Sequence, residues 1–127
     1  MTTVDLSSYK KLYLQTANDN CDALLGSYIK ISQDSLDKDA LKNIYISAHS
    51  LRSESQTMGY SKLTVLSNMI EKITKNILDN KIQITENLMA VIKEAIENAQ
   101  SSLLNIEKEN KENDTDFISK KLEEYIV

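Results

Sequence analysis

The sequence has no proline and no tryptophan, two glycines (Gly26 and Gly59), one cysteine (Cys21) and one histidine (His49) in 127 residues. Each shortage excludes something. A β-rich domain of this size turns often and spends glycine and proline at its turns, so few breakers point away from sheet. Two glycines far apart cannot build a Gly-rich phosphate loop. One histidine and one cysteine give no credible His/Cys zinc site within one chain, so no metal and no cofactor are expected. A lone cysteine forms no internal disulfide, which agrees with a reducing compartment and sets the expectation of a cytoplasmic protein. Basic runs are missing and the formal net charge is −4, so nucleic acid is not an expected partner. No apolar run approaches the roughly 20 residues of a membrane span. No basic-then-apolar opening suggests a signal peptide. A membrane is therefore not expected either.

What is present is helix-forming. Apolar residues make up 41% of the chain and charged residues 27%, with leucine, isoleucine, lysine, glutamate and asparagine prominent. The length suits one domain over residues 1–127. A first helix is expected over Leu6–Ile31, capped by Asp5 or Ser7, with Tyr9, Leu12, Tyr13, Thr16, Asn20, Leu24 and Ile31 near helical spacing. Ser32–Ser35 reads as a loop. A second helix starts near Asp37, carries the stripe Leu41, Ile44, Tyr45, Ala48 and Leu51, and ends at Gly59, a residue suited to a left-handed stop. A third, over Ser61–Asp79, has the cleanest stripe: Leu63, Leu66, Ile70, Ile73 and Ile77. A fourth, over Thr85–Glu109, buries Leu88, Val91, Ile92, Ala95, Ala99, Leu103 and Ile106. Lys108–Asp114 reads as a polar linker, with Lys108–Glu112 a solvated end. A last helix, Thr115–Ile126, carries Phe117, Ile118, Leu122 and Tyr125. Short connections make neighbours antiparallel. The expectation is an all-α, up-and-down four-helix bundle with an additional C-terminal helix.

The chemistry-bearing residues gather around His49. At about 100° per residue it falls on the edge of the second helix's stripe, where an imidazole is half-exposed. A histidine nucleophile needs one nitrogen held by an acceptor and the other free. On its own, the pattern favours a partly buried, satisfied surface histidine. Arg52, one turn on, shares its face and can meet phosphate oxygens, or can lie solvated over the core edge. Glu71 follows Ile70 as His49 follows Ala48, so antiparallel packing of helices two and three puts both beside one seam. It can accept the imidazole N–H or pair with Lys75 one turn along. Ser50 and Ser53 surround the histidine with small side chains. Glu54 and Gln56 complete a surface that a partner protein would meet.

The run Ala48–Tyr60, "AHSLRSESQTMGY", resembles the phosphorylation motif of histidine phosphotransfer (HPt) domains, and most of all that of the N-terminal domain of CheA-type chemotaxis histidine kinases. Their pattern reads roughly A-H-[ST]-[LI]-K-G, then small residues, then T-[MF]-G-[FY]. Ala48-His49-Ser50-Leu51 and Thr57-Met58-Gly59-Tyr60 match it. "LTVLSNMIEKI" resembles the family's third helix, and Glu71 lies 22 positions after His49, as its pattern requires. The opening segment and "ENLMAVIKEAIENAQSSLLN" resemble its first and fourth helices. The resemblance implies that His49 is a phosphoacceptor, with Glu71 orienting its ring and Arg52 offsetting phosphate charge. It implies two partners, a histidine kinase catalytic domain and a response-regulator receiver domain, and a carrier without its own ATP site. It leaves open whether the segment stands alone or belongs to a longer kinase; a monomer is expected. The departures are Arg52 for lysine, Ser53 for glycine, Glu54 and Gln56 among small residues, and Asn68 for a histidine. They keep a second reading alive, a bundle of this fold that binds a partner without being phosphorylated.

Overall fold

The computed structural model describes residues 6–126, and among these it is all-helical. Five helices follow in order: α1 (Leu6–Gln33), α2 (Lys38–Met58), α3 (Ser61–Leu78), α4 (Glu86–Glu109) and α5 (Asp116–Glu123). Their closest approaches run α1 to α2, α2 to α3, α3 to α4 and α4 back to α1, with α5 laid on α3 and α4. Tyr13, early in α1, bonds Ser55, late in α2. Lys10, at the start of α1, bonds Asn110, just past the end of α4. Both pairs of helices therefore run in opposite senses.

The helix ends follow from local chemistry. Asp37 caps α2 by accepting the Ala40 N–H at 2.9 Å, and Thr85 caps α4 by accepting that of Leu88 at 3.1 Å. Each satisfies a donor that the first helical turn leaves open. α2 stops at Gly59, whose φ of 81° is left-handed. The Tyr60 N–H returns to the Ser55 carbonyl at 2.9 Å, closing the turn. A Cβ at Gly59 would meet no neighbour within 4 Å, so its cost is conformational alone. Gly59→Ala is expected to lose about 1 kcal/mol of stability and Gly59→Asn less, read from urea denaturation midpoints. The Asp5 of the expected α1 cap lies outside the described residues, as does the Ser7 side chain.

Several boundaries and faces differ from expectation. Ser32 and Gln33 are helical, and α5 stops at Glu123. In α1 the buried face is Tyr13, Ala17, Cys21, Leu24, Ser27 and Ile31, while Tyr9 and Leu12 are 56% and 62% exposed. Small Ala17 and Cys21 sit inside because α1 packs closely on α2 and α4. Burial pushes the Cys21 thiol up to about 12, which keeps it an inert packing residue. In α4, Ile96 joins the core and Val91 lies only half-buried; in α5, Ile118 and Leu122 face inward while Phe117 does not. The α3 stripe is buried at every expected position.

Glu112 departs furthest from its expected place in a solvated end. Tyr60 gives α3 no side-chain cap. Instead the Glu112 carboxylate accepts the N–H groups of Lys62 and Leu63 at 3.2 and 2.9 Å. A negative charge also suits the positive end of the helix dipole. The α4–α5 connection is thereby fastened to the turn between α2 and α3. Tyr13 and Tyr60 stack beneath this turn at 5.3 Å, so the same corner joins α1 as well.

Candidate functional site

His49 and Arg52 project from α2 and Glu71 from α3, and the three meet at the α2–α3 seam. The core beneath fixes their register: Ala48 and Leu51 on α2 and Ile70 and Ile73 on α3 are fully buried. Their neighbours in sequence are left at the seam's edge. The His49 side chain is 54% exposed, whereas that of Glu71 is 11% exposed.

Glu71 Oε2 lies 2.7 Å from His49 Nδ1, and Glu71 Oε1 accepts from Arg52 Nε at 2.6 Å. Arg52 Nη2 also stands 3.0 Å from His49 Nδ1. One nitrogen cannot satisfy both neighbours, since the carboxylate only accepts and the guanidinium only donates. A carboxylate oxygen at 2.7 Å requires a proton between the two atoms. Nδ1 therefore carries the hydrogen and donates it to Glu71, and the Arg52 Nη2 approach is a contact rather than a bond. In the neutral form of such a ring the remaining nitrogen, Nε2, holds a free lone pair. It has no hydrogen-bond partner among the described residues.

Burial pushes the Glu71 carboxyl upward, but hydrogen bonds from Arg52 and His49, together with the Arg52 charge, outweigh it and hold the group below its ordinary value. Glu71 is thus ionised near neutral pH. The sign for stability follows. A carboxyl lowered by folding stabilises the native chain above its unfolded value, and that contribution is lost as pH falls through the folded one. Urea midpoints of the wild type should accordingly fall more steeply than those of Glu71→Gln between about pH 5 and pH 3. Parallel slopes would remove Glu71 from the acid response.

The remaining expected residues surround this trio. Lys75 pairs with Asp79 at 3.5 Å, not with Glu71. Ser50 is half-exposed, and Ser53 and Gln56 are exposed. Glu54 is half-buried and turned toward α1, where Asn20 Nδ2 donates to it at 2.9 Å. Burial raises its pKa, partly offset by that bond. Ser53 and Glu54 also line a shallow groove against Tyr9 and Leu12 of α1. Arg52 bends toward α3 and Glu71, and so stands on the Nδ1 side of the imidazole. Asn68 is half-buried one turn before Glu71. Sequence reasoning placed Tyr45 in the core stripe. Its ring instead lies alongside the imidazole, centroids 6.5 Å apart and planes 23° from parallel; the i, i+4 spacing to the only histidine was the available signal.

No family model matches the chain. It is similar to the chemotaxis protein CheA of Listeria monocytogenes, 25% identical over 81 residues, which cover 64% of this chain and 13% of that protein. It is also similar to the chemotaxis protein CheA of Bacillus subtilis, 21% identical over 103 residues, 81% of this chain and 15% of that protein. The chain thus corresponds to a small part of the curated relatives it matches. The likeness is distant and partial, and CheA is common to both.

Proposed function

We propose that this chain is a phosphoryl-carrier domain of a chemotaxis-type two-component relay, folded as an antiparallel, up-and-down four-helix bundle with α5 as its addition. In this reading residues 1–127 form one HPt-like domain, working as a monomeric segment in the cytoplasm. His49 takes a phosphoryl group from a histidine kinase catalytic domain and gives it to an aspartate of a response-regulator receiver domain. Nε2 attacks the γ-phosphorus of ATP; the N–P bond forms as the bond to the departing ADP oxygen breaks, that oxygen keeping the electron pair. The receiver carboxylate then attacks phosphorus, and the N–P electrons return to the ring. Magnesium ion comes with the nucleotide or the receiver.

The observation that carries the proposal is the Nδ1–Glu71 hydrogen bond of 2.7 Å beneath a half-exposed ring. Phosphorylation of Nε2 while Nδ1 keeps its proton makes the ring cationic. An ionised Glu71, in place before the reaction, stabilises that charge without reorganising. Arg52 keeps Glu71 ionised and aimed. Ser50, Ser53, Glu54 and Gln56 form the surface on which the two partners meet the ring.

The test is incubation with a CheA-type catalytic core and ATP. The expected product carries label that is stable in alkali and lost in acid, as an N–P bond requires. No label from any cognate kinase would leave the second reading, a non-phosphorylated interaction module of the same fold.

A further inference from the structure

We infer that Tyr45 is a positioning residue for His49, its ring forming the wall that sets the direction of Nε2. This rests on the carrier reading for its purpose, though not for its geometry.

Tyr45 is half-buried, yet it is absent from the half-buried apolar side chains that lean on the core, a group that includes Tyr28, Tyr60 and Tyr125. Its hydroxyl makes no hydrogen bond among the described residues. Its ring contact is with His49, at 6.5 Å and 23°, within the range of offset aromatic pairs. Helical side chains lean toward the N-terminus, so His49 lies back over the turn that holds Tyr45. The position thus has no evident core duty and one aromatic neighbour.

The imidazole needs such a neighbour. Its single hydrogen bond, Nδ1 to Glu71 Oε2, holds one edge of the ring, but small coupled changes of χ1 and χ2 still let the plane rock while that bond is kept. The Nε2 lone pair lies in the plane, and attack on phosphorus needs it aligned to within about 10–20°. A flat ring offset beside the imidazole and nearly parallel to it limits that rocking in one direction. Glu71 then fixes the tautomer and Tyr45 the plane. An aliphatic side chain would fill similar space without presenting a flat surface.

The full chain serves for the test. Tyr45→Leu keeps an apolar helix former at the position; Tyr45→Phe keeps the ring and drops the hydroxyl. Phosphoramidate serves as donor, so that no kinase contact is read; Nε2 displaces its ammonia, the N–P bond forming as the old P–N bond breaks. Tyr45→Leu is expected to phosphorylate about three- to tenfold more slowly, and Tyr45→Phe to restore the rate, with thermal melts of both matching the wild type. Because the chain has one histidine, its imidazole ¹⁵N signals are unambiguous; in Tyr45→Leu their shifts should keep the Nδ1–H tautomer while their relaxation reports a more mobile ring. Unchanged rate and unchanged ¹⁵N relaxation in Tyr45→Leu would overturn the inference, as would a Tyr45→Phe chain as slow as Tyr45→Leu. If the wild type takes no phosphoryl group from any donor, the carrier reading fails; the ¹⁵N relaxation still decides for or against Tyr45.

Discussion

A His49→Gln chain incubated with a CheA-type catalytic core and ATP is expected to take up no acid-labile phosphoryl group, a loss of the entire signal. The chain has no second imidazole, and an amide nitrogen is no nucleophile. Hydroxyl phosphates formed elsewhere would survive acid and so would not be mistaken for the lost label. Glutamine is a good helix former, and its amide N–H can still donate to Glu71. The position is half-exposed, so stability should move by no more than about 1 kcal/mol. The variant therefore separates chemistry from fold. Undiminished acid-labile label would place the acceptor on another residue and end the case for His49.

The second large effect concerns the scaffold. Leu51→Ala is expected to cost about 2–5 kcal/mol, a large share of the roughly 5–15 kcal/mol that holds a domain together. Leu51 has no exposed surface and lies in α2, which packs on both α1 and α3. The truncation removes buried methyl groups and leaves a void that neighbours on three helices cannot fully close. Leu104→Ala makes the control: Leu104 is 54% exposed, and the change should stay within about 0.5 kcal/mol. Urea denaturation of the two variants side by side reads the difference. Similar losses would mean that α2 is not the centre of the core.

These expectations draw unequally on the sequence. α3 was legible because its inner face carries large aliphatic residues at strict three–four spacing, with mostly polar residues between. α1 was legible only in part: Tyr13, Leu24 and Ile31 of its expected face are buried, but Tyr9 and Leu12 face outward, and the rest of the core side is made by small Ala17, Cys21 and Ser27, which give little hydrophobic signal. Helix ends were legible at Asp37 and Thr85, which start α2 and α4, and at Gly59, which stops α2, because each signal lies within four residues. The cap at α3 was not, because its acceptor, Glu112, comes from a distant connection that only tertiary packing brings near. At the site, the spacing of His49 and Glu71 carried information. The direction of Arg52 did not: an arginine one turn from a histidine can serve either edge of the ring, and the choice depends on where α3 sets its carboxylate.

That choice has a consequence in regiochemistry. Phosphohistidine exists as two isomers, one on each ring nitrogen. With a carboxylate and a guanidinium both crowded against Nδ1, the pros nitrogen is closed to an incoming phosphorus atom. A carrier built this way would hold its phosphoryl group as the tele isomer alone, the thermodynamically favoured form of the two. The network that orients the ring would then also keep the energy-rich bond from migrating before a partner arrives.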